Sequence, residues 1–260
     1  MRPFQPLKGL WKLSWIEVKV FVREPMGVVG SLVVPVIVFL VLGRVLGARA
    51  RDLAAIDGPV DTPLKEAPFN LAILAAILIA IGAVQSLTAI IAIYREGGIL
   101  KRLRATPLSP VTILGAHVVV KLLFTVVSLS LLVLAGRRIF PGALDVNLFG
   151  FTAAVLLSTL SILTLGFVLA SLVRTARFAQ PLGAVILYPM LALSGLFFPL
   201  ALLPPWLRAV SYALPTTHAV SLLQGVWDGS GWAAHWMNAV ALLALGALFT
   251  FLSTKVFRWE

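Results

Sequence analysis

Ser194, His218 and Asp228 carry the side-chain types of a hydrolase triad, in which an imidazole activates a hydroxyl and a carboxylate orients the imidazole. No G-x-S-x-G elbow surrounds the serine, so the pattern is generic, and His218 reads equally as a hydrogen-bonded residue on an outer hairpin. The three histidines, His117, His218 and His235, make no H-E-x-x-H and no other metal-ligand spacing. The chain has no cysteine, hence no thiolate metal site and no disulfide framework. No Gly-Lys dipeptide occurs, so a Walker-type phosphate loop is absent and ATP is not bound by that route. The sequence therefore assigns no catalytic residue, no metal ligand and no cofactor to this chain.

The chemistry that remains is electrostatic. It concentrates in the stretch from Tyr94 to Pro110, a charged segment between two long apolar runs. Arg95, Lys101, Arg102 and Arg104 are too costly to hold in hydrocarbon, so the segment must lie in water or at a headgroup surface. Gly97-Gly98 breaks the arriving helix, because glycine is costly in a helix interior and turns easily. Residues 99–105 can form a helix of about two turns, with Ile99, Leu100 and Leu103 on one side. Thr106-Pro107 stops it, and Ser109-Pro110 opens the next long helix as N-cap and first-turn proline. A short helix held between two membrane spans is suited to transmit force from a soluble partner.

The elements that hold this segment are apolar. Of 260 residues, 60% are hydrophobic and 12% charged, which no soluble domain could bury, so an all-α polytopic membrane protein is expected. The net charge of +11 is read as basic flanks of membrane helices touching anionic lipid, not as a nucleic-acid surface. Residues 1–27 form an amphipathic interfacial unit, and 28–260 a transmembrane domain with spans near 28–46, 69–93, 111–135, 148–173, 181–198 and 236–256. The first apolar run starts near Val28 without a small-residue cleavage pattern, so no cleavable signal is expected. No internal repeat or low-complexity segment is visible.

Within the first helix, Lys8, Lys12, Lys19 and Arg23 fall on one stripe bordered by Trp11 and Trp15, as in a helix lying in the membrane interface. The proline-broken run from Pro199 to Trp227 holds two pieces, each too short to cross a bilayer, which fits a re-entrant hairpin packed on protein. His117 and Lys121 lie inside the third span and Gln85 inside the second, a candidate polar intramembrane site. A central lysine costs about 3 kcal/mol, and the surrounding Leu, Ile, Val and Phe return on the order of 5 kcal/mol. Lys121 is open to two readings: it lines a polar cavity or pairs with an acid such as Glu96, or the helix projects into the cytoplasm and the side chain snorkels. With the N-terminus placed in the cytoplasm, thirteen flanking basic residues lie inside and seven outside, so both termini and the charged segment are expected there.

Glu96-Gly97-Gly98-Ile99-Leu100-Lys101-Arg102-Leu103-Arg104-Ala105-Thr106-Pro107-Leu108-Ser109 resembles the signature of ABC-2 type permeases, the membrane subunits of a class of ABC exporters. That family usually reads Arg-Glu-x-Gly-Thr before a Leu-rich helix and Thr-Pro-x-Ser after it; here Ile99 stands where threonine is common. A second likeness runs through Leu193-Ser194-Gly195-Leu196-Phe197-Phe198-Pro199, Leu203-Pro204-Pro205-Trp206-Leu207 and Leu214-Pro215-Thr216, with Leu214 where asparagine is frequent.

The resemblance implies two permeases paired with each other, as a homodimer or with a sister chain, each docking a separate ATP-binding cassette subunit that carries ATP and Mg. It implies that residues 99–105 form the coupling helix, in which Leu100 and Leu103 enter a cleft on the ATPase and Lys101, Arg102 and Arg104 meet acidic groups. Glu96 would tie this helix to Lys12 or Lys19. The hairpin containing Ser194, Gly195, Phe197, Phe198, Pro199, Pro204, Trp206 and Pro215 would be an outer lid. The implied setting is the cytoplasmic membrane of a prokaryote, and the implied cargo an amphipathic or lipid-like molecule such as a drug, antibiotic, lipid or lipid-linked glycan. The alternatives are an intramembrane enzyme using Ser194 and His218, and a secondary carrier or channel; every Asp and Glu falls outside the assigned spans, which counts against ion coupling.

Overall fold

Hydrocarbon leaves a backbone of long apolar runs one economical form, a helix whose N–H and C=O groups satisfy one another. A computed structural model of the chain describes residues 5–23, 29, 33–38, 40–41, 71–99, 110–139, 147–173, 175–197 and 199–256, and among them contains helices and turns but no strand. The helices are α1 (Gln5–Arg23), α2 (Leu71–Glu96), α3 (Pro110–Ile139), α4 (Leu148–Leu172), α5 (Ala176–Ala192), α6 (Pro205–Tyr212), α7 (Pro215–Trp227), α8 (Gly231–Ala234) and α9 (Trp236–Val256). A single 3-10 turn, Leu200–Leu202, precedes α6. Four described segments are long and apolar enough to cross a membrane: Ala76–Glu96, Thr112–Ala135, Leu148–Leu172 and Trp236–Lys255. About half of the expected first span lies outside the described residues; within it residues 29, 33–38 and 40–41 are described, all of them helical.

The helix termini follow local chemistry. Asn147 caps α4 by accepting the Gly150 amide at 3.1 Å. Pro205 and Pro215 occupy the first turns of α6 and α7, where a missing N–H is no loss. The expected fifth span, 181–198, differs from what is seen. The helix begins at Ala176 and ends at Ala192, carrying Pro181 and Pro189 within it. Its 17 residues reach about 26 Å, short of the roughly 30 Å of a hydrocarbon core. The helix stops because Gly195 takes φ +87 and Ser194 Oγ, donating to Leu191 O at 2.6 Å and accepting from the Leu196 amide at 3.4 Å, fixes the turn.

The core lies where α2, α4, α5, α7 and α9 meet, built from residues such as Ile77, Leu87, Phe151, Ile162, Leu187 and Leu222, all fully buried. In α2 and α4, 61% of each apolar span is buried, against 28% for α3 and 22% for α9, so the first two are interior and the other two face outward. The short α7 is interior as well: Pro215, Thr216, Ala219, Val220, Leu223 and Val226 are all buried. It thus packs on protein, as the re-entrant reading requires of a helix of 13 residues.

Between α2 and α4 the backbones approach closely. A Cβ at Gly166 would lie 3.1 Å from Val84 Cγ1 and 3.7 Å from the Val84 Cα. Thr88 Oγ1 bridges the seam, donating to Val84 O at 2.9 Å and, at 3.4 Å, to Gly166 O. Small residues let membrane helices pack where lipid offers no hydrophobic drive between them. Gly166→Leu is therefore expected to destabilise the bundle by about 1–3 kcal/mol through overpacking. Gly246→Ala, whose Cβ would meet Ser161 at an ordinary 3.7 Å, should not. Thermal unfolding midpoints of the two variants in detergent check this, and an unchanged midpoint for Gly166→Leu would refute the close seam.

Candidate functional site

Helix α4 ends at Leu172 with Val173 extended, and α5 starts at Ala176 after Thr175, whose side chain makes no capping bond. Such a break exposes carbonyls at one helix end and amides at the other. The last two residues of α2 satisfy both. The Arg95 guanidinium donates to Ala170 O at 3.0 Å, to Ser171 O at 3.5 Å, and to Val173 O. Glu96 Oε2 accepts the Ala176 amide at 2.9 Å. A cation at the C-terminus of α4 and an anion at the N-terminus of α5 also have the signs that complement the two helix dipoles. Beneath them, Ala92, Val173 and Ala179 form a small buried cluster that brings α2 within reach of the turn.

Glu96 therefore holds α5, not Lys12 or Lys19, both of which are exposed on α1. After it, the Gly97 amide bonds Ile93 O at 2.9 Å, the Gly98 amide bonds Arg95 O at 3.1 Å, and Gly98 adopts φ +66, ending α2 as the paired glycines predict. Ile99 is again helical. Leu100, Lys101, Arg102, Leu103 and Arg104 lie outside the described residues.

On α1, Leu10, Ser14, Glu17 and Phe21 form one stripe at helical spacing and face α3. Leu10 Cδ1 sits 3.5 Å from a Cβ built on Gly115. Glu17 Oε1 lies 2.9 Å from His117 Nδ1. The rings of Phe21 and Phe124 are 4.0 Å apart, and those of Tyr94 and His117 5.5 Å. Residue numbers rise together on both helices, so α1 runs alongside the start of α3 for about 16 Å. Its opposite side exposes Trp11, Trp15, Ile16 and Val22, with Lys19 stacked over Trp15 at 5.5 Å, a surface that suits a headgroup layer. The side chain of Lys8 lies outside the description.

The 30 residues of α3 reach about 45 Å, roughly 15 Å more than a hydrocarbon core. Lys121 lies nine residues into the apolar stretch Thr112–Ala135, about 14 Å along the axis. Lys121 is 8% exposed; its Nζ donates to Ser86 Oγ at 2.6 Å and lies 5.0 Å from the Phe21 ring centre. These groups border a narrow cleft between α1, α2 and α3. On α2 the Lys121 ammonium thus meets Ser86. Gln85, one residue earlier, faces α5, its Cγ 3.7 Å from a Cβ built on Gly183, and is not among the residues that line this cleft.

The hydrolase-like trio does not assemble. His218 Nδ1 lies 3.0 Å from Asn238 Oδ1 and Nε2 2.9 Å from Tyr212 O, while the Ser194 hydroxyl, buried, is engaged with Leu191 and Leu196. The lid region otherwise presents Phe197 and Trp206 outward, with Arg208 binding the carbonyls of Leu200 and Leu203 at 3.0 and 3.2 Å. Gly195 is required at its turn, where Leu200 Cγ lies 3.1 Å from its would-be Cβ. Phe198 lies outside the described residues.

Sequence reasoning missed Glu17, Ser86 and the receiving ends of Arg95 and Glu96. Glu17 had a signal, being the sole acid of α1 and spaced four residues before Phe21. Ser86 had none, since a hydroxyl in a membrane helix ordinarily bonds its own preceding turn.

Comparison with known proteins gives this arrangement a context. Over 166 residues the chain is 28% identical to the inner membrane transport permease YhhJ of Escherichia coli (strain K12), and equally to that of Shigella flexneri. The matched stretch is 63% of this chain and 44% of each relative, so the chain covers less than half the length of these curated proteins. Residues 8–227 match the family described as ABC-2 type transporter, a stretch that runs from the start of the α1 basic stripe to the end of α7. A match over so much of the chain, joined to long apolar helices, identifies it as a multi-pass membrane protein of the ABC-2 type transporter family.

Proposed function

We propose that this chain is the membrane subunit of an ATP-driven exporter in the cytoplasmic membrane of a prokaryote. It works with a second permease and with a separate ATPase subunit that holds ATP and Mg. Six spans cross the bilayer, both termini lie in the cytoplasm, and residues 99–105 form the helix that docks the ATPase. Leu100 and Leu103 supply its apolar face, and Lys101, Arg102 and Arg104 its charge. The observation that carries this reading is the pair Arg95–Glu96. These residues sit immediately before the docking segment and bind the α4–α5 turn, so a displacement of that segment pulls α4 and α5 with α2. The start of α3, with α1 fastened along it, leaves the same segment at its other end. A force applied to residues 97–109 therefore acts between two helix groups. That is the geometry needed to open a path from a stationary motor contact. The hairpin from Ser194 to Pro215 closes the outer end as a lid. Scarcity of charge in α2 and α5 favours an amphipathic or lipid-like cargo.

Two measurements test this. Replacing Leu100 and Leu103 together with Asp should abolish permease-stimulated ATP hydrolysis in the complex while leaving membrane insertion intact; unchanged stimulation would remove the docking role. The cysteine-free chain allows spin labels at exposed Ile93 and Phe178. Their distance should stay single and narrow when the docked ATPase binds nucleotide. In Arg95→Gln or Glu96→Gln it should broaden, because a charge-assisted hydrogen bond worth about 1.5–3 kcal/mol is lost. A wild-type distance that changes with nucleotide would show that α2 and α5 are not moved together.

A further inference from the structure

A continuous hydrogen-bonded chain links α6, α7 and the start of α9. His218 Nε2 lies 2.9 Å from Tyr212 O, His218 Nδ1 3.0 Å from Asn238 Oδ1, and Asn238 Nδ2 3.3 Å from His235 Nδ1. The His235 ring rests on the α7 backbone: a Cβ at Gly225 would fall 2.0 Å from its Cδ2 and 2.2 Å from its Nε2. His218, Asn238 and His235 are all half-buried, so protons exchange with water. A carbonyl only accepts, hence His218 Nε2 carries a hydrogen in every state. The Asn238 amide turns its oxygen to one imidazole and its NH2 to the other, and its two orientations have the same shape. With the oxygen toward His218, Nδ1 must also carry a hydrogen, so His218 is an imidazolium. The NH2 then donates to a bare Nδ1 on a neutral His235. With the amide turned by 180°, His218 is neutral and the oxygen accepts from His235 Nδ1–H. Two imidazolium rings together would leave the NH2 facing an N–H.

We propose that His218, Asn238 and His235 form a binding site for a single proton, and that its occupation latches α6 to α7 and α9. One proton from water charges His218 at Nδ1. The Asn238 amide turns over, and His235 releases a hydrogen from Nδ1 to water and gains one at Nε2, so the site takes up one proton in all. His218 is the ring that charges because its other nitrogen faces Tyr212 O in the last turn of α6, where the helix dipole favours a cation. Charging strengthens both bonds that His218 donates, so the junction is tighter at pH 5 than at pH 8, the range over which imidazoles ordinarily change charge. The surroundings add few competing groups. Helices α4 and α8, packed on this region, carry no titratable side chain. On α6 stand the Tyr212 phenol and Arg208, the latter held by Leu200 O and Leu203 O. Asp228 ends α7, about 15 Å along its axis from His218, and Lys255 is about 26 Å along α9 from Asn238. On α5, Tyr188 points outward and Arg177 starts the helix, and on α2, Tyr94, Arg95 and Glu96 sit beside the α4–α5 turn. The site follows from hydrogen-bond chemistry alone and stands apart from the export reading.

The chain has three histidines, so the full-length protein labelled with ¹⁵N-histidine gives three rings to follow by NMR in detergent, assigned with His117→Gln, His218→Gln and His235→Gln. Between pH 8 and pH 5, His218 should become charged while His235 stays neutral and exchanges its Nδ1–H form for its Nε2–H form. Asn238→Asp, whose carboxylate accepts from both rings, should let both charge, raising the uptake from one proton to two. If that variant does not fold, Asn238→Ala decides: with the bridge gone, the two rings should titrate independently. Spin labels at exposed Val210 on α6 and Leu248 on α9 test the latch. Their distance distribution should narrow from pH 8 to pH 5, and His218→Gln should lose that response. Two charged rings in the wild type would overturn the single-proton site, as would a His218 that stays neutral at pH 5 or an Asn238→Asp protein that titrates like the wild type. A label distance that ignores pH, or one that still responds in His218→Gln, would overturn the latch.

Discussion

A helix that ends near hydrocarbon must find partners for its last carbonyls, and one that begins there must find partners for its first amides. The turn between α4 and α5 meets both requirements with two adjacent side chains of α2. Arg95 takes the carbonyls and Glu96 takes the amide. A side chain at position i and its neighbour at i+1 point about 100° apart on a helix, so one residue can serve each end of a turn lying across the axis. The order matters. Reversing the pair would set an anion beside carbonyls and a cation beside amides, against both dipoles. Three helices are thereby joined at one level, and the α2–α4 seam at Gly166 and Thr88 carries that junction deeper into the bundle.

The remaining helices attach differently. α1 holds to α3 through a stripe that mixes an aliphatic contact, a carboxylate–imidazole pair and a pair of rings. That stripe follows the start of α3 for about 16 Å. Trp11, Lys12, Trp15, Lys19 and Arg23 are exposed on α1. Both facts hold because a helix has room for three faces, and the sequence pattern draws attention only to the two that differ most in hydropathy.

Long apolar helices were legible almost to the residue: α4 and α9 coincide with the expected spans, because their ends are marked by a capping Asn147 or by tryptophan and lysine. The stop of α5 was not legible, since apolar composition continues through Leu196 and Phe197 while a hydroxyl and a positive φ end the helix. Of the polar residues inside spans, Lys121 announced itself by its cost. What it touches depended on the rotation of α2, which exchanges Gln85 for Ser86 within one residue. Ser194 and His218 show the converse: suitable types, each engaged by a nearer hydrogen-bonding partner.

Arg95 and Arg208, far apart in the sequence, each grip several backbone oxygens of a neighbouring turn. A planar guanidinium fans its hydrogens over such an arc, whereas an ammonium would address one oxygen well and the others poorly. Bonds to neutral carbonyls leave each guanidinium its full charge, so one residue both ties a turn and adds to the electric asymmetry that orients a chain in its membrane.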